Sequence, residues 1–287
     1  MRVLVTGSTG LLGTSLTSVL ESRGFSVLRH SRTRGELAAD LTVPESVSVL
    51  LQTTRPDVVV NLAALTDVDR CESHPHEAYL LNTRVVENLA AMAGSGLVPY
   101  LVHVSTDQVY DGAGPHGEES VTISNYYAFS KYAGELAAAR ARGAILRTNF
   151  FGRSAQPHRR SFSDWIVGAL SREEPVQVFE DVLFSPLSIE RLTALICAVI
   201  EKRLEGTFNL GSLEGMSKAD FCYRLAHTLG LPTRSMARAK STDKALRAYR
   251  PKDMRMDCAR FAGACGVELP TLEQEIASMK RYYHVNS

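Results

Sequence analysis

The 287-residue sequence predicts an α/β protein, with a doubly wound parallel sheet followed by a smaller C-terminal α/β domain. Three observations lead there. The front half alternates short apolar, β-branched runs with segments of helical periodicity, the pattern of a parallel sheet with helices on both faces. The runs are apolar at successive positions, as strands covered on both sides require. Glycines cluster where the first strand meets the first helix.

Each element has its own signal. Residues 2–7 (RVLVTG) are a β-branched run that ends in glycine, a buried strand. Residues 11–24 carry apolar side chains at helical spacing and stop at Gly24, a natural C-cap. Residues 25–30 form the second strand. A helix over 43–56 has proline in its first turn and stops at Pro56. Strands follow at 57–64, 100–110 and 143–151, separated by helices over 76–96 and 126–141. The back half is less regular. It reads as a loop and helix over 152–174, a strand near 175–181, a helix over 188–206, an extended run at 207–212, a helix capped by Ser217, and a last helix over 271–283.

Composition narrows the function classes. With 45% hydrophobic and 22% charged residues and a net charge of +1, the chain is ordinary globular material. Its basic runs are short, so no nucleic acid is expected as a partner. The N-terminus lacks the apolar core of a signal peptide, and the longest apolar run, residues 192–200, is too short to span a bilayer. Five cysteines without CxxC or His-rich spacing read as reduced thiols of a cytoplasmic protein with no metal site.

The turn after the first strand is Gly7-Ser-Thr-Gly10-Leu-Leu-Gly13. Glycines there allow a diphosphate to approach the backbone, and the following helix offers free N–H groups and the positive end of its dipole. A strand before and a helix after make this a dinucleotide-binding loop of Rossmann type. A site for NAD usually ends its second strand in Asp or Glu, which holds the ribose hydroxyls. This chain has Arg29-His30-Ser31-Arg32 instead. Arg29, Ser31 and Arg32 therefore suit a 2′-phosphate, and NADPH is the expected cofactor, with NADH as the alternative.

In SNYYAFSKYAGE, residues 124–135, Tyr127 and Lys131 share one face of a helix, whereas Tyr126 pairs with Ser130. A free phenol titrates near 10, and a neighbouring ammonium would lower that toward working pH. Tyr127 is thus the candidate proton donor to a carbonyl oxygen, with Lys131 as its tuner or as a hold on the nicotinamide ribose. Ser105 and Thr106, at the carboxyl end of the fourth strand, supply the hydroxyl that would fix the carbonyl.

VTGSTGLLG, the stretch from Asn61 to Asn82, STDQVYDG, YYAFSKYAGE, FSPLSIERL and RPKDMRMD together resemble the extended short-chain dehydrogenases/reductases, within them the dTDP-4-dehydrorhamnose reductase branch, over nearly the whole chain. The resemblance implies that Thr106, Tyr127 and Lys131 are catalytic. It also implies that Gly7, Gly10, Leu11 and Leu12 lie along the pyrophosphate, that Asp40 and Leu41 flank the adenine, that Ala63 and Ala64 line the cofactor, and that Asn82 sits below the site. Asp107, Asn149, Phe150 and Arg250, with Thr106, are the expected substrate contacts, and Arg153 or the pair Arg159-Arg160 are further cations for a nucleotide diphosphate. The chain departs from the branch at Asn149-Phe150-Phe151-Gly152, where a Trp-containing run is usual, and at Phe184-Ser185-Pro186. Both departures bear on which sugar is bound.

The activity so implied is reduction of a nucleotide-linked 4-keto-6-deoxy sugar, with hydride delivered to C4. Residues 1–150, with a returning helix near 188–204, would bind NADP, and residues 151–287 mostly the substrate; a homodimer is an open assembly. Two other readings remain: a non-catalytic NADP-binding regulatory subunit of the methionine adenosyltransferase type, and a nucleotide-sugar epimerase with tightly held NAD. The intact Thr-Tyr-Lys set speaks against the first and the basic strand end against the second.

Overall fold

The computed structural model describes residues 1–33, 35, 37–156 and 158–283. Its centre is a parallel sheet of seven strands: β1 (Arg2–Thr6), β2 (Ser26–Ser31), β3 (Leu37–Ala38), β4 (Val58–Asn61), β5 (Leu101–Thr106), β6 (Gly143–Thr148) and β11 (Gly206–Leu210). The order is β11-β6-β5-β4-β1-β2-β3, so the chain reverses direction across the sheet between β1 and β4. The expected Rossmann-type architecture is present. One of its strands, the two-residue β3, was not legible; β11 falls on the extended run expected at 207–212, but its place in this sheet, reached only after a long helix, was not foreseen.

Alternate strand residues feed opposite layers. Val3, Val5, Val58, Val60, Val102 and Leu146 pack against α1 (Leu11–Ser22) and, from the back half, α8 (Ile189–Lys202) and α10 (Ala259–Cys265). Leu4, Val59, Leu101 and Ile145 pack against α2 (Pro44–Thr54), α5 (Val85–Ala93) and α6 (Tyr126–Ala138). The helix expected over 76–96 is broken into α4 (Pro75–Tyr79), a π-helical turn at Leu80–Arg84, and α5, preceded by a short α3 (Val68–Ser73). The π turn carries Asn82, and α6 meets it at Gly134, where a Cβ would lie 2.3 Å from the Asn82 carbonyl oxygen.

A second core gathers Phe151, α7 (Phe162–Ser171), α9 (Lys218–Leu229), α11 (Leu272–Ser278) and Tyr283. Around it lie three two-stranded ladders: β7 (Phe150–Phe151) with β10 (Leu187–Ser188), β9 (Leu183–Phe184) with β12 (Met216–Ser217), and β8 (Val176–Phe179) with β13 (Met236–Ala239). The adjacent phenylalanines part as strand neighbours must. Phe151 is fully buried edge-on to Phe221 in the second core, while Phe150 is partly buried against the first. Among the described residues no helix is long and apolar enough to cross a membrane.

Arg147 of β6 and Glu135 of α6 form a buried ion pair, with Nη2 2.6 Å from Oε2 and both side chains at most 5% exposed. Arg147 also donates to the Tyr110 hydroxyl at 2.7 Å and to the Glu118 carbonyl, and Ser105 donates to Glu135. Removing one charge of such a pair leaves the other buried and unpaired. Arg147→Met should therefore cost about 3–5 kcal/mol in urea unfolding. The double change Arg147→Met with Glu135→Leu should recover part of that loss.

Candidate active site

The glycine loop closes tightly onto α1. Gly10 donates its N–H to the Gly7 carbonyl at 2.9 Å, and a Cβ at Gly13 would sit 2.3 Å from the same oxygen. No side chain caps α1 at Gly10, so its first-turn N–H groups are left for a ligand. Leu11 and Leu12 stand in that turn. Their side chains pack into the core, which leaves only their backbone to face a diphosphate.

The loop borders a cleft of about 720 Å³ at the carboxyl edge. Of the residues expected around the cofactor, Gly7, Gly10, Ser31, Arg32, Asp40, Leu41, Ala63 and Ala64 all line it. Asp40 is held by the N–H and hydroxyl of Thr42, at 3.0 and 2.7 Å. Arg29 is a correction. Its guanidinium turns to Glu21 of α1, with Nη2 2.8 Å from Oε2, and it does not line the cleft. Arg159, one of the further cations considered for the substrate, lines this cleft as well, and Gln156 beside it donates to Thr14 of α1 at 3.3 Å.

Asn82 is buried below this edge. Its Oδ1 accepts from the Leu65 N–H at 2.7 Å, and its Nδ2 donates to the Leu65 carbonyl and the Ser130 hydroxyl. It thereby fixes the chain after β4 to the helix that carries Tyr127 and Lys131. That helix is capped by Asn125, which accepts from the Ala128 N–H at 2.8 Å.

Tyr127 is buried, with the Thr106 hydroxyl close enough to act on its phenol. Tyr126 is exposed and packs edge-on against Phe129. The expected lowering of the Tyr127 pKa by Lys131 is not found. Burial raises it, the nearby Thr106 hydroxyl opposes this, and the phenol stays protonated at neutral pH. Lys131 donates instead to the Val104 carbonyl at 2.8 Å, and burial brings its pKa down to about 8, against the pull of Glu135. Ser105, the other hydroxyl considered at this strand end, belongs to the Glu135–Arg147 network and not to the site.

Asp107 follows Thr106 and is buried. It accepts from the Asn149 amide at 2.7 Å and from the Thr106 hydroxyl at 3.3 Å. Arg250 stands on the same side of the molecule, but its guanidinium is bonded to Asp69 and to the Ala248 carbonyl, each at 2.8 Å. Arg153 donates to the Tyr282 carbonyl at an exposed position. Phe150 packs on the first core.

With this geometry in hand, comparison with known proteins is decisive for the family. The model described as "RmlD substrate binding domain" matches residues 1–284. The chain belongs to the RmlD substrate binding domain family. The chain is 28% identical to the probable low-salt glycan biosynthesis reductase Agl14 of Haloferax volcanii, covering 98% of this chain and 97% of that one. It is 29% identical to the dTDP-4-dehydrorhamnose reductase of Sinorhizobium fredii, over 96% and 95% of the two chains. It is also 28% identical to methionine adenosyltransferase 2 subunit beta of Rattus norvegicus, over 91% and 81%. Among solved structures, the dTDP-4-dehydrorhamnose reductase of Bacillus anthracis in complex with NADP superposes with a TM-score of 0.88 at 24% identity, covering 98% and 99%.

In this RmlD-family chain, sequence reasoning missed Lys218. It is the first residue of α9, and its ammonium and the Asp107 carboxyl feel each other's charge. A lysine at the positive end of a helix dipole was the available signal.

Asp107 yields a pH-dependent expectation. Burial pushes its pKa up to about 6 from an ordinary 3.8, against its bonds from Asn149 and Thr106. A carboxyl whose folded pKa is raised contributes stability that is complete below about 4 and lost as pH rises through about 6. The melting temperature of the wild type should therefore fall relative to Asp107→Asn between pH 4 and 7, then stay level. Parallel melting curves across that range would contradict it.

Proposed function

We propose that the chain is an NADPH-dependent reductase of a nucleotide-linked 4-keto-6-deoxy sugar. The observation that carries this reading is one juxtaposition. The Thr106 and Tyr127 hydroxyls and Lys131 gather where β5 meets α6 at the carboxyl edge of the sheet, the edge at which a cleft joins an uncapped glycine loop to Arg32. The relatives named as sugar reductases, and the NADP held by the similarly folded Bacillus anthracis protein, support the substrate class and the cofactor.

The residues fit the cofactor. The loop N–H groups suit its diphosphate, Asp40 and Leu41 its adenosine end, and Arg32 its 2′-phosphate. Bound there, NADPH supplies the hydride. Thr106 and Tyr127 hydrogen-bond the sugar carbonyl oxygen and draw charge toward it. Tyr127, kept protonated by burial, gives its proton to that oxygen as the carbonyl carbon is reduced. Lys131, whose ammonium rests on the Val104 carbonyl, would hold the nicotinamide ribose and return a proton to the phenolate. Asp107, fixed by Asn149, offers an acceptor to a sugar hydroxyl.

The match to methionine adenosyltransferase 2 subunit beta favours a second reading, a regulatory subunit that binds NADP without turnover. NADPH oxidation against a panel of nucleotide 4-keto-6-deoxy sugars separates the two, since only the reductase reading gives turnover. On the active substrate, Tyr127→Phe should lower kcat by about 10²- to 10⁴-fold with NADPH affinity kept, and Tyr126→Phe should be nearly neutral. The opposite ranking would reassign the proton donor. Arg32→Ala should raise KM for NADPH by about tenfold or more and barely change KM for NADH. Arg29→Ala, whose guanidinium is already paired with Glu21, should leave both cofactors unaffected.

A further inference from the structure

Lys218 opens α9 immediately after Ser217, whose hydroxyl caps the helix by accepting from the Asp220 N–H. A cation there opposes the helix dipole, so helix stability does not account for it. Its Nζ lies 5.6 Å from the centre of the Phe162 ring and 5.9 Å from that of Phe184. The two rings belong to the aromatic cluster around Phe221 and Phe151, and Phe151 stands two residues after Asn149, the partner of Asp107. Among the described residues the ammonium has these ring faces but no hydrogen-bond acceptor.

The charges around it are otherwise accounted for. Arg250, close enough for its charge to act on Lys218, is bonded to Asp69. Asp107, which also acts on Lys218, takes its hydrogen bonds from Asn149 and Thr106. Arg153 is turned to the Tyr282 carbonyl, and Arg159 lines the cofactor cleft. Among the described residues, three ammonium N–H donors within range of the Asp107 charge thus have no oxygen to receive them. A 4-keto-6-deoxy sugar carries no charge, so the part of such a substrate that gains most from an ammonium is its diphosphate.

We propose that Lys218 is the second-domain contact to the diphosphate of the nucleotide-linked substrate, and that it sets substrate affinity rather than the rate of hydride transfer. The inference rests on the nucleotide-sugar reading given above. Phe162 and Phe184 hold the stem and desolvate the ammonium, which strengthens its bond to a phosphate oxygen.

The test is calorimetric titration of UDP and dTDP into the NADP⁺-loaded protein, for the wild type, Lys218→Met and Lys218→Arg. Methionine keeps an unbranched stem between the rings, so the fold should survive. Lys218→Met should bind both nucleotides about 10- to 100-fold more weakly, with a flatter dependence on salt. Lys218→Arg should stay within about fivefold of the wild type, because it restores the charge. NADP⁺ affinity should not change in either variant, and on an active sugar KM should rise in Lys218→Met while kcat holds. Unchanged nucleotide affinity in Lys218→Met, an equal loss of NADP⁺ affinity, or a wild type that binds neither nucleotide would overturn the proposal. Lysine-dependent nucleotide binding without turnover of any keto sugar would sink the reductase reading and leave this contact standing.

Discussion

The constraint on which the site depends is the register of one helix against one strand. Three successive residues of β5 each meet α6. The Val104 carbonyl takes the Lys131 ammonium, the Ser105 hydroxyl reaches Glu135, and the Thr106 hydroxyl meets the Tyr127 phenol. Tyr127, Lys131 and Glu135 recur every four residues, so they form a single stripe on the helix. The innermost of the three, Glu135, is bolted by the buried guanidinium of Arg147 on the next strand. A buried ion pair is poor evidence of net stability, because desolvation opposes the attraction. Its geometric demand is strict, however, and that demand places the phenol at the sheet edge.

The other parts of the site are set out from this register. Asn82 accepts from the Leu65 N–H on its amide oxygen and donates from its amide nitrogen to the Leu65 carbonyl and the Ser130 hydroxyl, so the chain after β4 and the helix of Tyr127 and Lys131 share an anchor. Gly134 lets that anchor come close. The cost of the arrangement shows in the ionisable groups. Lys131 and Asp107 are both buried against their charge preference, and His103 behind Lys131 is held neutral by burial and by that ammonium. Groups kept in environments that resist their charged forms are what an acid–base site needs and what a passive core avoids.

Much of this was legible because its signals are local. The glycine loop, the Tyr127–Lys131 spacing, the Ser217 cap and the covered strands each lie within a few residues of sequence. What was not legible depends on partners far apart in the chain. Arg29 looked like a phosphate ligand until Glu21, eight residues earlier on α1, took its guanidinium. Spacing alone left Ser105 and Thr106 equivalent; the resemblance pointed to Thr106, and the position of Glu135 gives the physical reason that Ser105 is engaged elsewhere. The tuning of Tyr127 by Lys131 followed from helix spacing, yet the ammonium found a backbone carbonyl instead. The pairing of β11 with β6 and the position of Lys218 depend on the back half, whose chain crosses between two cores, a path that periodicity does not encode.

The central claim is that this edge delivers hydride to the C4 carbonyl of a nucleotide-linked sugar while Tyr127 supplies the proton. Incubating the protein with NADPH deuterated at both C4 positions and a dTDP-4-keto-6-deoxy sugar, then reading the product by NMR, tests it most directly. The account predicts one deuterium at sugar C4 and stoichiometric formation of NADP⁺. A sugar reduced without label at C4, or a cofactor that binds and is never oxidised, would contradict it.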